Sequence, residues 1–181
     1  MSTTRSREDI GQGAAAVERA PTRVAPHVWA VTRIALGWVF LWAFLDKTFG
    51  LGYATPAENA WIDGGSPTSG FLGGVEGPFA DFFQGLAGNA FIDWLFMLAL
   101  LGIGLAFILG IGMRIAAASA VVLLVLMWMA VLPIANNPFL DDHLVYALVA
   151  VGLAATNAGD TWGLGKAWAG TDLAARYPVL R

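Results

Sequence analysis

The chain contains no cysteine. That absence excludes disulfides, thiolate catalysis, iron–sulfur ligation and cysteine-based zinc sites within it. It also separates the chain from the four-helix membrane dithiol oxidoreductases, which work through cysteine pairs. Charge is scarce too. Only 13% of the 181 residues are charged, about half the ~25% of an average soluble domain. Lys and Arg total ten and gather into no patch, so nothing points to nucleic acid. There is no phosphate-binding loop, no order of Ser, His and Asp that would place a triad, and no strong internal repeat.

What is present is long apolar sequence, since 57% of the residues are hydrophobic. Four runs stand out: Val28 to Leu45, Phe91 to about Met113, Ile115 to about Leu132 (closed by Pro133), and His143 to Thr156, extendable to Asp141 and Asn157. A spanning helix needs about 20 mostly apolar residues. The first three runs meet this, and the fourth must recruit its polar flanks or sit in a thinned bilayer. The expected fold is an all-α integral membrane protein, a four-transmembrane-helix bundle. A polar tail (residues 1–26) precedes the membrane domain (27–158), and a C-terminal segment (159–181) follows it along the inner surface. The tail lacks the apolar core of a secretory signal peptide.

Four spans put the tail, the second connection and the C-terminus on one side. Nine basic residues fall there: Arg5, Arg7, Arg19, Arg23, Arg33, Arg114, Lys166, Arg176 and Arg181, against Lys47 alone on the other. By the positive-inside rule both ends lie in the cytoplasm, in the inner membrane. Trp29 and Trp94 stand at opposite interfaces as anchors. The long outer segment, about residues 48–90, contains GGSPTSGFLGG (64–74), which is loop chemistry with Pro67 as a breaker. GPFADFFQGLAGN (77–89) follows, with Pro78 suited to a first helical position and Asp81 to a first turn. Phe79, Phe82, Phe83 and Leu86 share one face, predicting a short helix at the outer membrane surface.

Ionisable groups within a bilayer are costly, so each needs an account. Arg33, about two turns into the first run, either snorkels to the headgroups or turns inward to a carbonyl or an anionic group. Gly37, on the same stripe, admits a close neighbour. Gly102, Gly104, Gly110 and Gly112 read as helix-packing positions. At the outer end Asp46, Lys47, Asp93, Asp141, Asp142 and His143 are expected at one depth. Asp141 and Asp142 suit a helix start, and Asp46 with Lys47 suits an interfacial pair. His143, with Tyr146 one turn on, either makes a structural hydrogen bond or relays protons beside its carboxylates.

His27 and His143 stand at opposite surfaces, so they cannot share a haem. Single-His or His/Met ligation stays open without a motif behind it. No spaced signature supports a metal. A quinone asks for less: an apolar slot and a few hydrogen-bonding groups at headgroup depth.

RIALGWVFLWAFLDK (33–47), WIDGGSPTSGFLGG (61–74), GPFADFFQGLAG (77–88) and NPFLDDHLVYAL (137–148) resemble the DoxX superfamily. Within it they are most similar to the DoxD branch, the large membrane subunit of thiosulfate:quinone oxidoreductase. The GGSPT loop together with DDH is the more specific part; the Arg-to-Asp-Lys pattern of the first run is shared broadly. The resemblance covers about 28–158. It implies a four-helix bundle passing electrons from a small donor, such as a sulfur compound, to the quinone pool, often with a small partner subunit. The residues it carries over are Arg33, Asp46, Lys47, Asp142 and His143. On that reading His143 relays protons with Asp142 orienting it, and Lys47 or Tyr146 donates to a quinone oxygen. The acidic outer face would repel a dianion except near Lys47, unless the partner subunit supplies positive charge. The alternative is a non-catalytic scaffold recruiting a soluble redox or detoxification enzyme. A small-solute transporter lacks the paired broken helices expected of one.

Overall fold

The computed structural model describes residues 24–181; the expectations for residues 1–23 lie outside that range. The described residues are helical with no strand. Helix α1 (Ala25–Phe49) is followed by two 3-10 turns, Ala57–Asn59 and Trp61–Asp63. Two short helices come next, α2 (Ser69–Gly73) and α3 (Ala80–Gln84). The bundle continues with α4 (Ala90–Leu109), α5 (Met113–Ala130) and α6 (Asp142–Ala155). Beyond a 3-10 turn at Ala158–Asp160 lie α7 (Gly165–Ala169), α8 (Asp172–Arg176) and a final turn, Pro178–Leu180.

Helices α1, α4 and α5 are each long and apolar enough to cross a membrane. Helix α6 has 14 residues, about 21 Å at ~1.5 Å per residue, so it falls short of the ~30 Å hydrocarbon core. Its polar flanks do not lengthen it. Asp141 is its N-cap, accepting from the Leu144 N–H, and Asn157 leaves in a left-handed conformation (φ 49°).

The second apolar run is cut earlier than its composition suggests. Gly110 (φ 74°) and Gly112 (φ 58°) occupy the left-handed region, where only glycine sits without steric cost. They make a tight turn between α4 and α5; of the four glycines read as packing positions, Gly104 and Gly110 do pack closely, whereas Gly102 meets nothing and Gly112 serves the turn. The end of the bundle holding this turn and the start of α1 is the proximal end, and the opposite end is distal. The principal neighbours are α1 with α4 and α5 with α6, joined through α4 and α5. The core between them centres on Phe40, Met97, Phe107 and Leu153. Large apolar side chains line the outside, with Leu98 57%, Val122 62% and Leu148 71% exposed. An apolar exterior of this kind on three long helices suits lipid as the surrounding solvent.

Helices α1 and α4 cross closely. A Cβ on Gly37 would stand 2.9 Å from the Ile108 backbone nitrogen, and one on Gly104 2.8 Å from that of Leu41. Gly37 thus has the close neighbour its sequence position suggested. The half-buried Trp29 ring lies against Gly152 of α6. Trp94 is 57% exposed at the distal end, packed edge-on against Trp61 with centroids 4.6 Å apart.

The distal segment is more structured than a loop. The glycine-rich stretch 64–74 contains α2, and the expected helix at 77–89 is reduced to α3, with Pro78 in the preceding turn. Phe83 is buried against Val75 and Ala130, with Phe79 packed beside it, while Phe82 points outward.

Candidate functional site

At the proximal end the carbonyls closing α4 have no helical partners, as at any helix C-terminus. Arg33, fully buried, supplies donors to them. Its Nη1 donates to the carbonyls of Phe107 and Ile108, the latter at 2.7 Å. Its Nη2 donates to the carbonyls of Trp162 at 2.9 Å and Thr161 at 3.3 Å. The guanidinium therefore turns inward and does not snorkel. A cation at a helix C-terminus is favoured by the macrodipole, and here it also ties down the following segment. That segment is otherwise held by glycines: a Cβ on Gly110 would stand 2.8 Å from the Cα of Gly159. The Leu164 N–H donates to the Leu109 carbonyl at 2.8 Å. Nε of Arg33 has no hydrogen-bond partner. Geometry gives Arg33 a structural part, remote from the distal groups with which the sequence grouped it.

At the distal end the carboxylates divide. Asp46, 1% exposed, accepts from the backbone N–H groups of Tyr53 (3.2 Å) and Ala54 (3.0 Å). It lies in the last turn of α1, where the dipole disfavours an anion. Two charge-assisted bonds to the loop offset that cost. Asp93 accepts from the Thr68 hydroxyl (2.5 Å), the Thr68 N–H (3.1 Å) and the Ser66 hydroxyl (3.0 Å). The SPT sequence is thus the counterpart of an aspartate in the first turn of α4. Sequence reading named both halves without joining them. Lys47 is half-buried and makes no hydrogen bond or ion pair among the described residues.

The third distal group is different. His143 Nδ1 lies 2.6 Å from Asp141 Oδ2 and 3.6 Å from Asp142 Oδ1. The His143 side chain is 18% exposed, Asp141 11% and Asp142 68%. Asp141, not Asp142, holds the ring, while its other oxygen accepts from the Leu144 N–H at 3.3 Å. One carboxylate thus caps the helix and orients the imidazole. Tyr146, one turn on, packs partly buried against the core. Ligand atoms of Asp141, Asp142 and His143 lie within 4.8 Å of one another, but the capping and ring contacts already occupy both Asp141 oxygens.

These groups do not share one depth, a second correction. The α1–α4 crossing pairs Gly37 with Ile108 and Leu41 with Gly104. At ~1.5 Å per residue, that register puts Asp93 about 9 Å farther distal than Asp46. Among the described residues, the titratable pair held closest together is His143 with Asp141, at 2.6 Å. Comparison with protein families, curated proteins and solved structures gives no match.

Proposed function

We propose that the chain is a DoxX-like membrane subunit of a quinone-linked oxidoreductase, with its quinone ring at the distal end beside α6. The observation that carries this reading is the His143–Asp141 pair at 2.6 Å. It is mostly buried, at the distal rim, one turn from a phenol. A bound quinone supplies the capacity to take up two electrons and two protons from a small reduced donor. In this reading Asp141 fixes the tautomer of His143, whose Nε2 passes protons inward from the surface. Tyr146 donates to a ring oxygen, and Lys47 flanks the entrance. The site lies between headgroups and apolar core, where a flat amphiphile partitions.

The reading includes a fourth span. Packing of α6 along α5 supports it, with residues 133–141 bridging to the distal surface. It also includes a cytoplasmic proximal end, supported by the placement of Arg114, Lys166, Arg176 and Arg181 there. A single cysteine at Glu58 is expected to react with an impermeant maleimide on intact cells, whereas one at Lys166 is not. The reverse pattern would invert the topology.

His143→Ala is expected to lower quinone reduction at least tenfold, the low end of general acid–base contributions of ~10²–10⁴ being reduced by water substitution. Its melting temperature should stay close to that of the parent. Unchanged turnover would remove the mechanism. One observation favours a second reading, a scaffold for a soluble redox or detoxification enzyme: Arg33, Asp46 and Asp93 are each engaged in holding a loop to the bundle. Purification in mild detergent separates the two, since a stoichiometric soluble partner without quinone supports the scaffold.

A further inference from the structure

Between α4 and α5 an apolar groove of about 520 Å³ opens on the outside of the bundle. Its size lies within the ~300–1,000 Å³ typical of ligand pockets. It runs from Leu95 to the proximal turn, where Gly112 and the Trp168 ring close it. Two features make it a groove. Gly102 has nothing within 4 Å of where a Cβ would stand, and Ala99, Ala106, Ala116 and Ser119 keep the walls low. Because α4 and α5 are spans, the medium outside the groove is hydrocarbon.

The lining is apolar throughout, and a cation stands beside its closed end. Trp168 Nε1 donates to the Leu180 carbonyl at 2.6 Å. In the same 3-10 turn, the Pro178 carbonyl accepts from Arg114 Nη1 at 3.0 Å. Arg114 is exposed, and its remaining guanidinium nitrogens meet no protein acceptor among the described residues. An Arg fork with free donors at headgroup depth, one short turn from the floor of a chain-shaped apolar slot, complements a phosphate ester bearing an acyl chain.

We infer that the α4–α5 groove is a binding site for one anionic phospholipid, its acyl chain lying along Gly102 and Ser119 and its phosphate facing Arg114. The inference depends on α4 and α5 lying in lipid and is independent of the quinone reading.

Native mass spectrometry of the full chain, released from detergent with equal amounts of phosphatidylglycerol and phosphatidylcholine, tests it. The expected spectrum shows a one-to-one adduct with phosphatidylglycerol favoured roughly fivefold, the effect of about one good basic contact. Arg114→Gln should bring the two lipids to parity, and Arg114→Lys should keep part of the preference. Gly102→Leu, which fills the slot without meeting a neighbour, should reduce adducts of both lipids. Equal retention of the two lipids by the parent would overturn the proposal. So would adducts indifferent to Gly102→Leu, or a lipid-free dimer occupying the same face.

Discussion

The two ends of the bundle solve one problem with opposite charges. At the proximal end a single buried cation gathers four backbone carbonyls, from α4 and from residues 161–162. At the distal end two buried anions gather N–H and hydroxyl groups, from residues 53–54 and from 66–68. Beside these bonds one ion pair, Arg181 with Asp160 at 3.8 Å, also lies at the proximal end. The difference is one of economy in residues: five guanidinium N–H groups arranged as a fork reach several acceptors at once, whereas each carboxylate holds only the loop beside it. The proximal end therefore leans most heavily on one side chain, beside the Leu164–Leu109 hydrogen bond and the Gly110–Gly159 approach, and the distal end is divided among several.

That asymmetry predicts unequal sensitivity. Arg33→Met should have the largest effect. It strands buried carbonyls that each cost ~1–3 kcal/mol unpaired, so a loss of roughly 3 kcal/mol or more is expected. Fluorescence-detected size exclusion after heating should read it as early aggregation, with the 157–181 segment becoming sensitive to protease. A melting curve like the parent's would show that the proximal end is not held as described. Next comes Gly104→Leu, which puts a side chain where a bare Cβ already stands 2.8 Å from the Leu41 nitrogen. Overpacking of this kind costs ~1–3 kcal/mol, and the same heating assay should show a smaller shift. Thr68→Val should be mildest, about 1–2 kcal/mol for the two hydrogen bonds of the hydroxyl, to Asp93 and from the Gly88 N–H, while the Thr68 N–H and Ser66 still hold Asp93. If Thr68→Val proved as damaging as Arg33→Met, the division of labour at the distal end would be wrong.

The sequence made some of this legible. Three helices were visible because each presents an unbroken apolar run of spanning length, and the start of α6 because Asp141 and Asp142 precede an apolar run as dipole partners; that Asp141 is the cap was not. The turn at Gly110–Gly112 was hidden because Ile111 and the residues flanking it are as apolar as the helices. The partners of Arg33 were hidden for a deeper reason. They are backbone carbonyls, which every residue carries, so no side-chain pattern marks them. The Asp93–Thr68 link lay between the two extremes. Its residues were conspicuous separately, but only the fold brings positions 25 apart into contact. His143 stands out in the sequence as one of two histidines, but the residue that holds its ring is Asp141 and not Asp142, because helix geometry turns Asp142 outward and leaves the capping Asp141 beside the ring.

The order of synthesis gives Arg33 a further consequence. Its acceptors at Phe107 and Trp162 are made 74 and 129 residues after it. At ~5–20 residues per second, the ribosome delivers the last of them roughly 6–26 s later. During that interval the newborn first helix carries a cation whose acceptors do not yet exist, and its placement stays provisional until the rest of the chain arrives to claim it.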